Sequence, residues 1–416
     1  MENNITINNR IPQLRFPGYT GDWEEKSLGE VGVFVRGLSY NKGEVTQDRA
    51  ATLVLRSNNI IQDGAVDCRN GLQFVTKEPS SEQILQKGDI VICLSNGSSN
   101  LVGKSANYEG DYAGIATVGA FCGIYRSTAP IAKYLVQTPA YKKSVELIKQ
   151  GGNGALANLY GRDILGLKFY FPTLEEQNEI VECLEAEDRM IAAQEQKVES
   201  LKAHKKGLMQ QLFPQPGATT PALRFPGFTG DWEVKKLGEI ADVNPKSDKL
   251  PNKFVYIDLE SVESGNLLKK NIIEVKNAPS RAQRLLKKGD ILFQMVRPYQ
   301  RNNYHFYDND VNVYVASTGY AQIRYKDCSE YLYQYLHTDT FVDMAVSKCV
   351  GGNYPAINTT DLTNITVYLP SRAEQQMIAE CLGTLDNLIA AESKKLGFLK
   401  SHKKGLMQQL FPQPEK

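Results

Sequence analysis

The chain has 416 residues, of which 42% are hydrophobic and 23% charged, and its formal net charge is +1. This length favours two or three domains, no apolar run is long enough to cross a bilayer, and the N-terminal stretch lacks the apolar core of a signal peptide, so we expect a cytoplasmic protein without membrane association. Near-neutral charge excludes the strongly basic class of nucleic-acid binders, so any DNA-binding face would have to arise by folding basic residues onto one side.

The chain opens on a segment that it later repeats. Leu14–Val31 (LRFPGYTGDWEEKSLGEV) returns with few changes as Leu223–Ile240 (LRFPGFTGDWEVKKLGEI), and His204–Pro216 returns at His402–Pro414. Self-similarity over such a long period indicates a duplicated domain rather than a solenoid of short repeats. We therefore predict two halves of the same build.

Between the shared segments lie two regions that do not match each other, Gly32–Tyr170 and Ala241–Tyr368. Their short apolar runs and frequent turn residues predict two mixed domains, here called the first and second heads. Lys87–Gly97 (KGDIVICLSNG) and Lys288–Pro298 (KGDILFQMVRP) are equivalent turn-and-strand units, after which the sequences diverge. Loops that follow a shared strand yet differ in content are where a scaffold would carry its recognition chemistry.

Polar side chains suited to DNA gather in these loops and in two other short stretches. Arginine forks match guanine, amide pairs match adenine, and hydroxyls and lysines match phosphates. The candidates in the first head are Arg56, Asn58, Asn59, Ser95, Asn96, Ser98, Ser99, Asn100 and Lys104, and those in the second are Lys246, Arg297, Tyr299, Gln300, Arg301, Asn302 and Asn303. The alternative is that these are ordinary surface loops whose Asn and Gly residues make turns. The glycine tracts Gly151–Gly154 and Gly351–Asn353 would either let backbone approach a phosphate or turn the chain.

Each head is followed by the signature of a long helix. Thr173-x-x-Glu176 and Ser371-x-x-Glu374 match the capping box, in which the hydroxyl binds a free amide and the Glu side chain reaches back to another. Apolar residues then recur in heptads, which predicts a coiled-coil seam formed by Ile180, Leu184, Ile191, Val198 and Leu201 in one helix and by Ile378, Leu382, Leu385, Ile389, Leu396 and Leu399 in the other.

The seam is interrupted by polar residues at matching places, which are Glu187, Gln194 and Lys205 in the first helix and Glu392 and Lys403 in the second. Polar seam residues weaken packing but fix register and partner choice. We expect the two helices to pack on each other within the chain and to hold the heads a fixed distance apart. The alternative is that each helix packs only on the core of its own head.

These segments define an α+β fold with an internal repeat. The predicted domains are a first domain at residues 1–172, which contains the first head and the shared segment 14–31, and a first long helix at 173–213. A linker rich in Pro, Gly and Thr follows at 214–222, and then a second domain at 223–370, which contains the second head, and a second long helix at 371–412.

The seven cysteines form no C-x-x-C pair, which fits a reducing cytoplasm and argues against a disulfide framework or a zinc site. The chain also lacks the Asn/Asp-Pro-Pro-Tyr motif of amino-methyltransferases and the G-x-x-x-x-G-K phosphate loop. We therefore expect it to catalyse no reaction and to bind no cofactor itself.

The duplicated L-R-F-P-G-x-T-G-D-W opening, the KGDI strands, the Glu-Gln helix start and the K-K-G-L-M-Q-Q-L-F-P ending together resemble the specificity subunit of type I restriction-modification enzymes, over the whole chain. The resemblance implies that each head is a target-recognition domain reading half of a split double-stranded DNA site. It also implies that the long helices form an antiparallel coiled coil, with the two halves related by a pseudo-two-fold repeat. Since the heads differ, the site would be asymmetric.

The resemblance further implies partners. Two adenine methyltransferase subunits would bind S-adenosylmethionine, and endonuclease subunits would use ATP and Mg²⁺. Because the second head is nearly neutral, we expect tight DNA binding only in the presence of the methyltransferase subunits. The competing interpretation is a coiled-coil scaffold that presents two protein-binding heads without DNA specificity.

Overall fold

The structure is a computed structural model that describes residues 10–61, 64–150, 158–308 and 310–413. The chain separates into two compact units, one formed by Met1–Ala193 with Leu396–Lys416 and the other by Gln194–Lys395. The division falls inside both long helices, so each unit contains the first part of one long helix and the last part of the other. The domain bounds drawn from the sequence stay a prediction.

The first unit contains the first head. Its strands are β1 (Glu24–Ser27), β2 (Gly32–Arg36), β3 (Val45–Thr46), β4 (Thr52–Leu55), β5 (Phe74–Val75), β6 (Ile90–Cys93), β7 (Ser105–Asn107), β8 (Ala116–Val118), β9 (Cys122–Ser127) and β10 (Lys168–Phe171). Its helices are α1 (Ala132–Leu135), α2 (Pro139–Gln150), α3 (Gly161–Leu165) and the first part of α4 (Leu174–Leu212). The strands form the sheets β2-β9-β6-β7, β3-β5-β4-β8 and β1-β10, and β4 runs parallel to β8.

The second unit repeats this plan. Its strands are β11 (Glu233–Lys236), β12 (Ala241–Val243), β13 (Lys253–Ile257), β14 (Val262–Glu263), β15 (Asn266–Leu267), β16 (Asn271–Glu274), β17 (Ala282–Leu285), β18 (Ile291–Gln294), β19 (Tyr304–His305), β20 (Tyr314–Ser317), β21 (Tyr320–Tyr325) and β22 (Thr366–Leu369). Its helices are α5 (Leu237–Ile240), α6 (Ser329–Tyr335), α7 (Asp339–Ser347), α8 (Thr359–Thr363) and the first part of α9 (Arg372–Leu410). The sheets are β12-β21-β18-β19, β16-β13-β20-β17, β11-β22 and β14-β15, and β13 runs parallel to β20.

The predicted KGDI strands are the central strands β6 and β18. All four residues of each strand are buried, as expected for short apolar runs that lie inside a sheet. The Asp of each motif is buried as well and is held by an arginine from the next strand of its sheet. Arg126 binds both oxygens of Asp89 at 2.7 Å, and Arg324 binds both oxygens of Asp290 at 2.8 Å. The motif is therefore structural, and it fixes the strand that carries the divergent loop.

The shared opening segment is anchored to the start of the long helix in the same way in both units. The Arg15 guanidinium donates to the two carboxylate oxygens of Glu176 at 2.8 and 2.7 Å, and Arg224 does so to Glu374 at the same distances. Each Glu side chain is 1% exposed. The buried bidentate pair explains why the opening and the helix start are duplicated together.

This anchor corrects one sequence-based expectation, because the predicted capping box is only half formed. The amide of Glu176 lies 3.4 Å from the Thr173 hydroxyl, and the amide of Glu374 lies 3.4 Å from the Ser371 hydroxyl. The carboxylates were expected to reach back to the capping residues. They are instead held by the arginines, which bind a carboxylate more strongly than a neutral amide does.

The long helices span 39 residues each, and each ends two residues before a proline, Pro214 or Pro412. Their first turns belong to the head cores. Ile180 and Leu184 are buried in the core of the first unit together with Leu410 and Phe411 from the end of the second long helix. The second unit repeats this packing with Ile378, Leu382, Leu212 and Phe213. Both sequence-based alternatives therefore hold in part, since each helix begins on its own head and also contacts the other helix.

The other predicted seam residues are buried or half-buried. Val198 and Leu399 are buried, and Ile191, Leu201, Leu385, Ile389 and Leu396 are half-buried. Within the second unit, α4 and α9 run antiparallel, since residues further along α4 contact residues nearer the start of α9. Gln194 donates to the Glu392 carboxylate at 2.7 Å, and Lys205 donates to Asp386 at 2.6 Å.

Four of the predicted polar interruptions are thus paired, as a register-fixing role requires; they are Gln194, Lys205, Glu392 and Lys403. Lys403 donates to Asp188 at 2.5 Å in the first unit, which is the repeat equivalent of the Lys205–Asp386 pair in the second. A side chain of the adjoining head joins each pair. Tyr134 donates to Asp188 at 2.8 Å, and Gln334 donates to Asp386 at 2.7 Å. The predicted fold class is confirmed: mixed heads carry an internal repeat and are joined by long antiparallel helices.

Candidate nucleic-acid interface

In both heads, the loop after the KGDI strand lies beside the segment that leads into the short helix α3 or α8. The amide of Leu159 donates to the carbonyl of Leu94 at 2.9 Å, and the amide of Ile357 donates to the carbonyl of Met295 at 3.1 Å. These bonds occupy equivalent places in the repeat. Each head therefore presents a pair of adjacent loops at the same end of its central strand.

The first head brings the predicted polar residues together. Asn96 donates its side-chain amide to the Ser57 hydroxyl at 2.8 Å, which joins the loop after β6 to the loop after β4. Ser95 donates to the side-chain oxygen of Asn158 at 2.6 Å, which joins it to the segment before α3. Lys104 reaches the Ser57 carbonyl at 3.5 Å. Hydroxyl and amide groups thus form one continuous polar surface.

The predicted residues of this surface differ in their exposure. Asn58, Ser98, Ser99 and Asn100 are exposed, and Arg56, Ser95, Asn96 and Lys104 are half-buried. Arg56 donates one terminal nitrogen to the Gly71 carbonyl at 3.1 Å, while its buried Nε has no partner among the described residues.

Asn59 does not belong to this surface, which corrects its prediction as a DNA contact. Its side chain is fully buried. Its amide donates to the carbonyls of Asp67 and Asn70 at 3.2 and 2.8 Å, and its oxygen accepts from the Arg56 amide at 3.0 Å. With donor and acceptor both used inside the head, Asn59 shapes the loop and has no group left for a base.

The second head presents an arginine stacked on an aromatic ring. The Arg297 guanidinium lies 4.3 Å from the centre of the Tyr354 ring and donates to the Asn353 carbonyl at 3.0 Å. Tyr354 is 69% exposed, and Tyr299 and Gln300, which follow Arg297 in the sequence, are exposed as well. A guanidinium stacked on a ring is held in a fixed plane, which suits a planar acceptor such as a guanine edge.

The remaining candidates of this loop are engaged within the second unit. Arg301 donates to Asp339 at 2.6 Å, and this bond holds the pKa of the Asp339 carboxyl below its usual range. The Asn302 side chain accepts from the Ser264 amide at 3.2 Å. Asn303 is 1% exposed and accepts from the Gln294 amide at 2.8 Å, so its prediction as a DNA contact is also wrong.

Lys246 lies in a different loop, after β12, and is exposed. Two residues earlier, Asn244 donates to the Thr359 hydroxyl at 2.9 Å, at the start of α8. This contact brings the loop that carries Lys246 to the segment that follows Tyr354. The structure therefore leaves Lys246 near one edge of the candidate surface.

Three exposed aromatic residues lie at this surface that were not predicted from the sequence. Tyr354 and Tyr160 lie just before the short helices α8 and α3, and Phe121 lies in the turn between β8 and β9, where its carbonyl accepts from the Ser95 amide at 3.1 Å. They are 69%, 56% and 71% exposed. The only sequence signal was the glycine tract before each tyrosine. The second tract includes Gly351 at a φ of 111°, a backbone conformation that residues other than glycine rarely adopt. The first tract lies outside the described residues.

In the described part of the chain, His, Cys, Asp and Glu side chains form no cluster that could hold a metal ion. None of the helices in the described ranges has both the length and the apolar character of a membrane span.

The repeated scaffold and its unlike loops define a class of protein in which one frame carries two different recognition surfaces. Comparison with known proteins identifies the class. The model of the type I restriction modification DNA specificity domain matches the chain twice, at residues 20–203 and 229–400. The chain belongs to this family.

Relatives and solved structures agree with this. The MjaVIII type I restriction enzyme specificity subunit of Methanocaldococcus jannaschii is 26% identical over 407 residues, which cover 94% of this chain and 92% of that protein. The HindI specificity subunit of Haemophilus influenzae is 31% identical over 169 residues, which cover 38% of this chain and 36% of that one. The crystal structure of a type I restriction-modification S subunit from M. genitalium superposes with a TM-score of 0.59 at 14% identity, over 97% of this chain and 100% of the other.

The predicted family and function are thereby confirmed. The chain is a specificity subunit of a type I restriction-modification system and mediates recognition of a DNA sequence. The alternative of a scaffold without DNA specificity has no support from these comparisons.

Proposed function

We propose that each head reads one half of a bipartite DNA site, through the loop after its KGDI strand and the loop before its short helix. The observation that carries this proposal is that two heads of one build present different chemistry at equivalent places. The first head offers hydroxyls and amides at Ser95 and Asn96, and the second offers Arg297 stacked on Tyr354. Unlike surfaces imply unlike half-sites, so the target is asymmetric.

The proposed DNA-contacting residues are the predicted candidates that are exposed or half-buried at or near these loops. They are Arg56, Asn58, Ser95, Asn96, Ser98, Ser99, Asn100 and Lys104 in the first head, and Lys246, Arg297, Tyr299, Gln300, Arg301 and Asn302 in the second, joined by Tyr160 and Tyr354. Amides and arginine forks supply base contacts, and hydroxyls and lysines supply phosphate contacts.

We propose further that this chain catalyses no step and that partner subunits supply the chemistry. Two methyltransferase subunits binding S-adenosylmethionine, and endonuclease subunits using ATP and Mg²⁺, fit a chain whose shared segments occur twice. The duplicated opening segments and helix ends would offer the same partner two equivalent surfaces. Relatives named as parts of type I restriction enzymes support such an assembly.

Sequencing of methylated bases tests the proposed reading. Cells that express this chain with its methyltransferase partner should carry adenine methylation in one bipartite motif, with two unlike halves and an unspecified spacer. Cells that express the methyltransferase alone are the control. If no motif depends on this chain, or if the motif is a palindrome, the proposed assignment of one half-site to each head is wrong.

Replacing Arg297 by alanine should relax recognition of the second half-site. A bidentate arginine–guanine contact is worth about 1–3 kcal/mol of discrimination, which is about 5- to 140-fold in relative methylation. Sequencing of methylated bases would reveal the lost base preference at one position of one half. The control is Lys276→Ala, since Lys276 is an exposed basic residue of the same head that pairs with Glu274 at 2.8 Å. An unchanged motif in Arg297→Ala would remove Arg297 from the interface.

The isolated chain should bind its target DNA weakly at physiological salt. The formal net charge of +1 provides little phosphate neutralisation, which supplies most of the salt-sensitive affinity of DNA-binding proteins. We expect tight binding only after methyltransferase subunits are added, in titrations at two salt concentrations. Nanomolar affinity of the chain alone at physiological salt would contradict this prediction.

A further inference from the structure

The loop after the KGDI strand is attached differently in the two heads. In the first head, the attachment is made mainly by backbone groups at the last residue of β6, beside one weak contact from the Cys93 thiol to the Ser95 carbonyl at 3.6 Å. The amide of Cys93 donates to the Lys104 carbonyl at 2.9 Å, and the Cys93 carbonyl accepts from the Gly103 amide at 2.8 Å. Such bonds do not depend on which side chain occupies position 93.

In the second head, side chains make the attachment at the equivalent strand end. The Gln294 amide donates to the side-chain oxygen of Asn303 at 2.8 Å, and the Gln294 side-chain oxygen accepts from the Asn302 amide at 3.1 Å. The Gln294 side-chain amide also donates to the side-chain oxygen of Gln300 at 2.9 Å. Both ends of the loop therefore depend on residues that are 3% and 1% exposed, Gln294 and Asn303.

A third buried group completes this network. The Asn303 side-chain nitrogen lies 3.3 Å from Nε2 of His337, and Nδ1 of His337 lies 2.7 Å from the Tyr333 carbonyl. Because a carbonyl can only accept, Nδ1 carries the proton and Nε2 accepts from Asn303. Burial lowers the pKa of His337 to about 4, so the ring is neutral and keeps this tautomer at physiological pH.

The loop itself has a backbone that needs such support. Arg297 and Arg301 both lie in the left-handed region, at φ values of 53° and 55°, which is unfavourable for residues other than glycine. The Arg301 side chain donates to the His337 carbonyl at 3.1 Å, so His337 is tied to the loop by its backbone as well.

We propose that Gln294, Asn303 and His337 are positioning residues that set the specificity of the second half-site without contacting DNA. This inference rests on the proposed function of the loop Arg297–Asn303 in reading that half-site. These three buried residues hold the Arg297 and Gln300 side chains in the positions from which they contact bases. Transferring the exposed loop residues alone to another specificity subunit should therefore not transfer the specificity. The transferred segment must also include the buried residues that support the loop.

Single substitutions test the proposal in the full chain with its methyltransferase partner. Gln294→Met and Asn303→Ala remove the side-chain attachments. Cys93→Ala is the matched control, since at position 93 the first loop is held mainly by backbone bonds and the thiol is only a weak donor. Sequencing of methylated bases should give a degenerate second half-site in both variants. Methylation at the original motif should fall about tenfold, as expected for loss of a buried hydrogen bond. The first half-site should stay unchanged, and Cys93→Ala should alter neither half.

His337 allows a test by conservative replacement. Its equivalent in the first head is Gln137, whose side-chain nitrogen donates to the Lys133 carbonyl at 2.9 Å, as Nδ1 of His337 does to Tyr333. His337→Gln should therefore keep the second half-site, whereas His337→Phe, which keeps a ring of similar size but has no nitrogen, should relax it. If Gln294→Met, Asn303→Ala and His337→Phe all leave the second half-site intact, the proposal is overturned.

Hydrogen exchange of the complete chain provides a readout that needs no DNA. The amides of Arg297 and of residues 299–303 should exchange about tenfold faster in Gln294→Met and Asn303→Ala, while those of the buried strands β18 and β21 stay protected. Unaltered loop exchange, or loss of protection throughout the second head in every variant, would overturn the positioning role. If the wild-type chain directed no bipartite methylation, the proposed function would fail, and exchange in the loop would still decide this inference.

Discussion

Exchanging residues 241–364 for the matching segment of another specificity subunit will change one half of the methylated motif and leave the other half as it was. The segment contains the loop Arg297–Asn303, its support at His337 and the loop that carries Tyr354. It leaves in place the anchor between Arg224 and Glu374. Sequencing of methylated bases in cells that express the chimera with the methyltransferase measures the change, which should be complete for that half.

The junctions of this exchange follow from strand pairing. β22 (Thr366–Leu369) pairs with β11 (Glu233–Lys236) of the shared opening, so a junction at Tyr368 would split a strand pair that belongs to the scaffold. The matched control is the exchange of residues 32–166, which should change only the other half, because β10 and β1 form the equivalent pair in the first unit. A chimera in which both halves change, or in which neither does, would contradict the assignment of one half-site to each head.

The long helices could be predicted because residues close in sequence mark their ends. Features that depend on contacts between distant segments could not be predicted in this way. The hydroxyls of Thr173 and Ser371 and the prolines beyond the C-termini mark the ends of the helices through groups within a few residues. The division of the chain inside both helices depends instead on packing between distant segments, such as Ile180 against Leu410. Short strands such as β3 and the parallel pairing of β4 with β8 also depend on distant partners, and periodicity alone does not reveal those.

The candidate surface was predicted at the level of loops and less well at the level of residues. Asn58 and Asn59 are adjacent and identical, yet one is exposed and the other is fully buried. The difference arises because the Asn59 side-chain amide donates to the carbonyls of Asp67 and Asn70. Nothing in the sequence around Asn59 indicates that these carbonyls lie nearby. Tyr354 was missed for the converse reason, since its pairing with Arg297 joins segments that are distant in the chain.

The duplicated opening was the strongest feature of the sequence, but its physical role was not predicted. An arginine in L-R-F-P-G reads as a surface residue until its partner is known. Its partner, Glu176 or Glu374, was assigned to helix capping, because the spacing to the preceding hydroxyl fits that motif. The repeated Arg–Glu pair emerges only when both shared segments are brought together.

Replacing Arg224 by alanine will strongly destabilise the second unit. The substitution leaves the carboxylate of Glu374, which is 1% exposed, without the two bonds that Arg224 donates to it. Removing one partner of a buried ion pair costs about 3–5 kcal/mol, because the remaining charge is neither solvated nor paired. We expect a decrease of this size in the free energy of unfolding, measured by denaturant titration of the full chain.

Two further variants distinguish the loss of the Arg224–Glu374 pair from a general effect of removing an arginine. Arg372 is exposed at the start of the same helix, and Arg372→Ala should change the free energy of unfolding by no more than about 0.5 kcal/mol. Glu374→Gln added to Arg224→Ala should recover part of the loss, because an uncharged amide is less costly to bury than a carboxylate. Equal effects of Arg224→Ala and Arg372→Ala would mean that the duplicated anchor does not hold the opening segment to the helix.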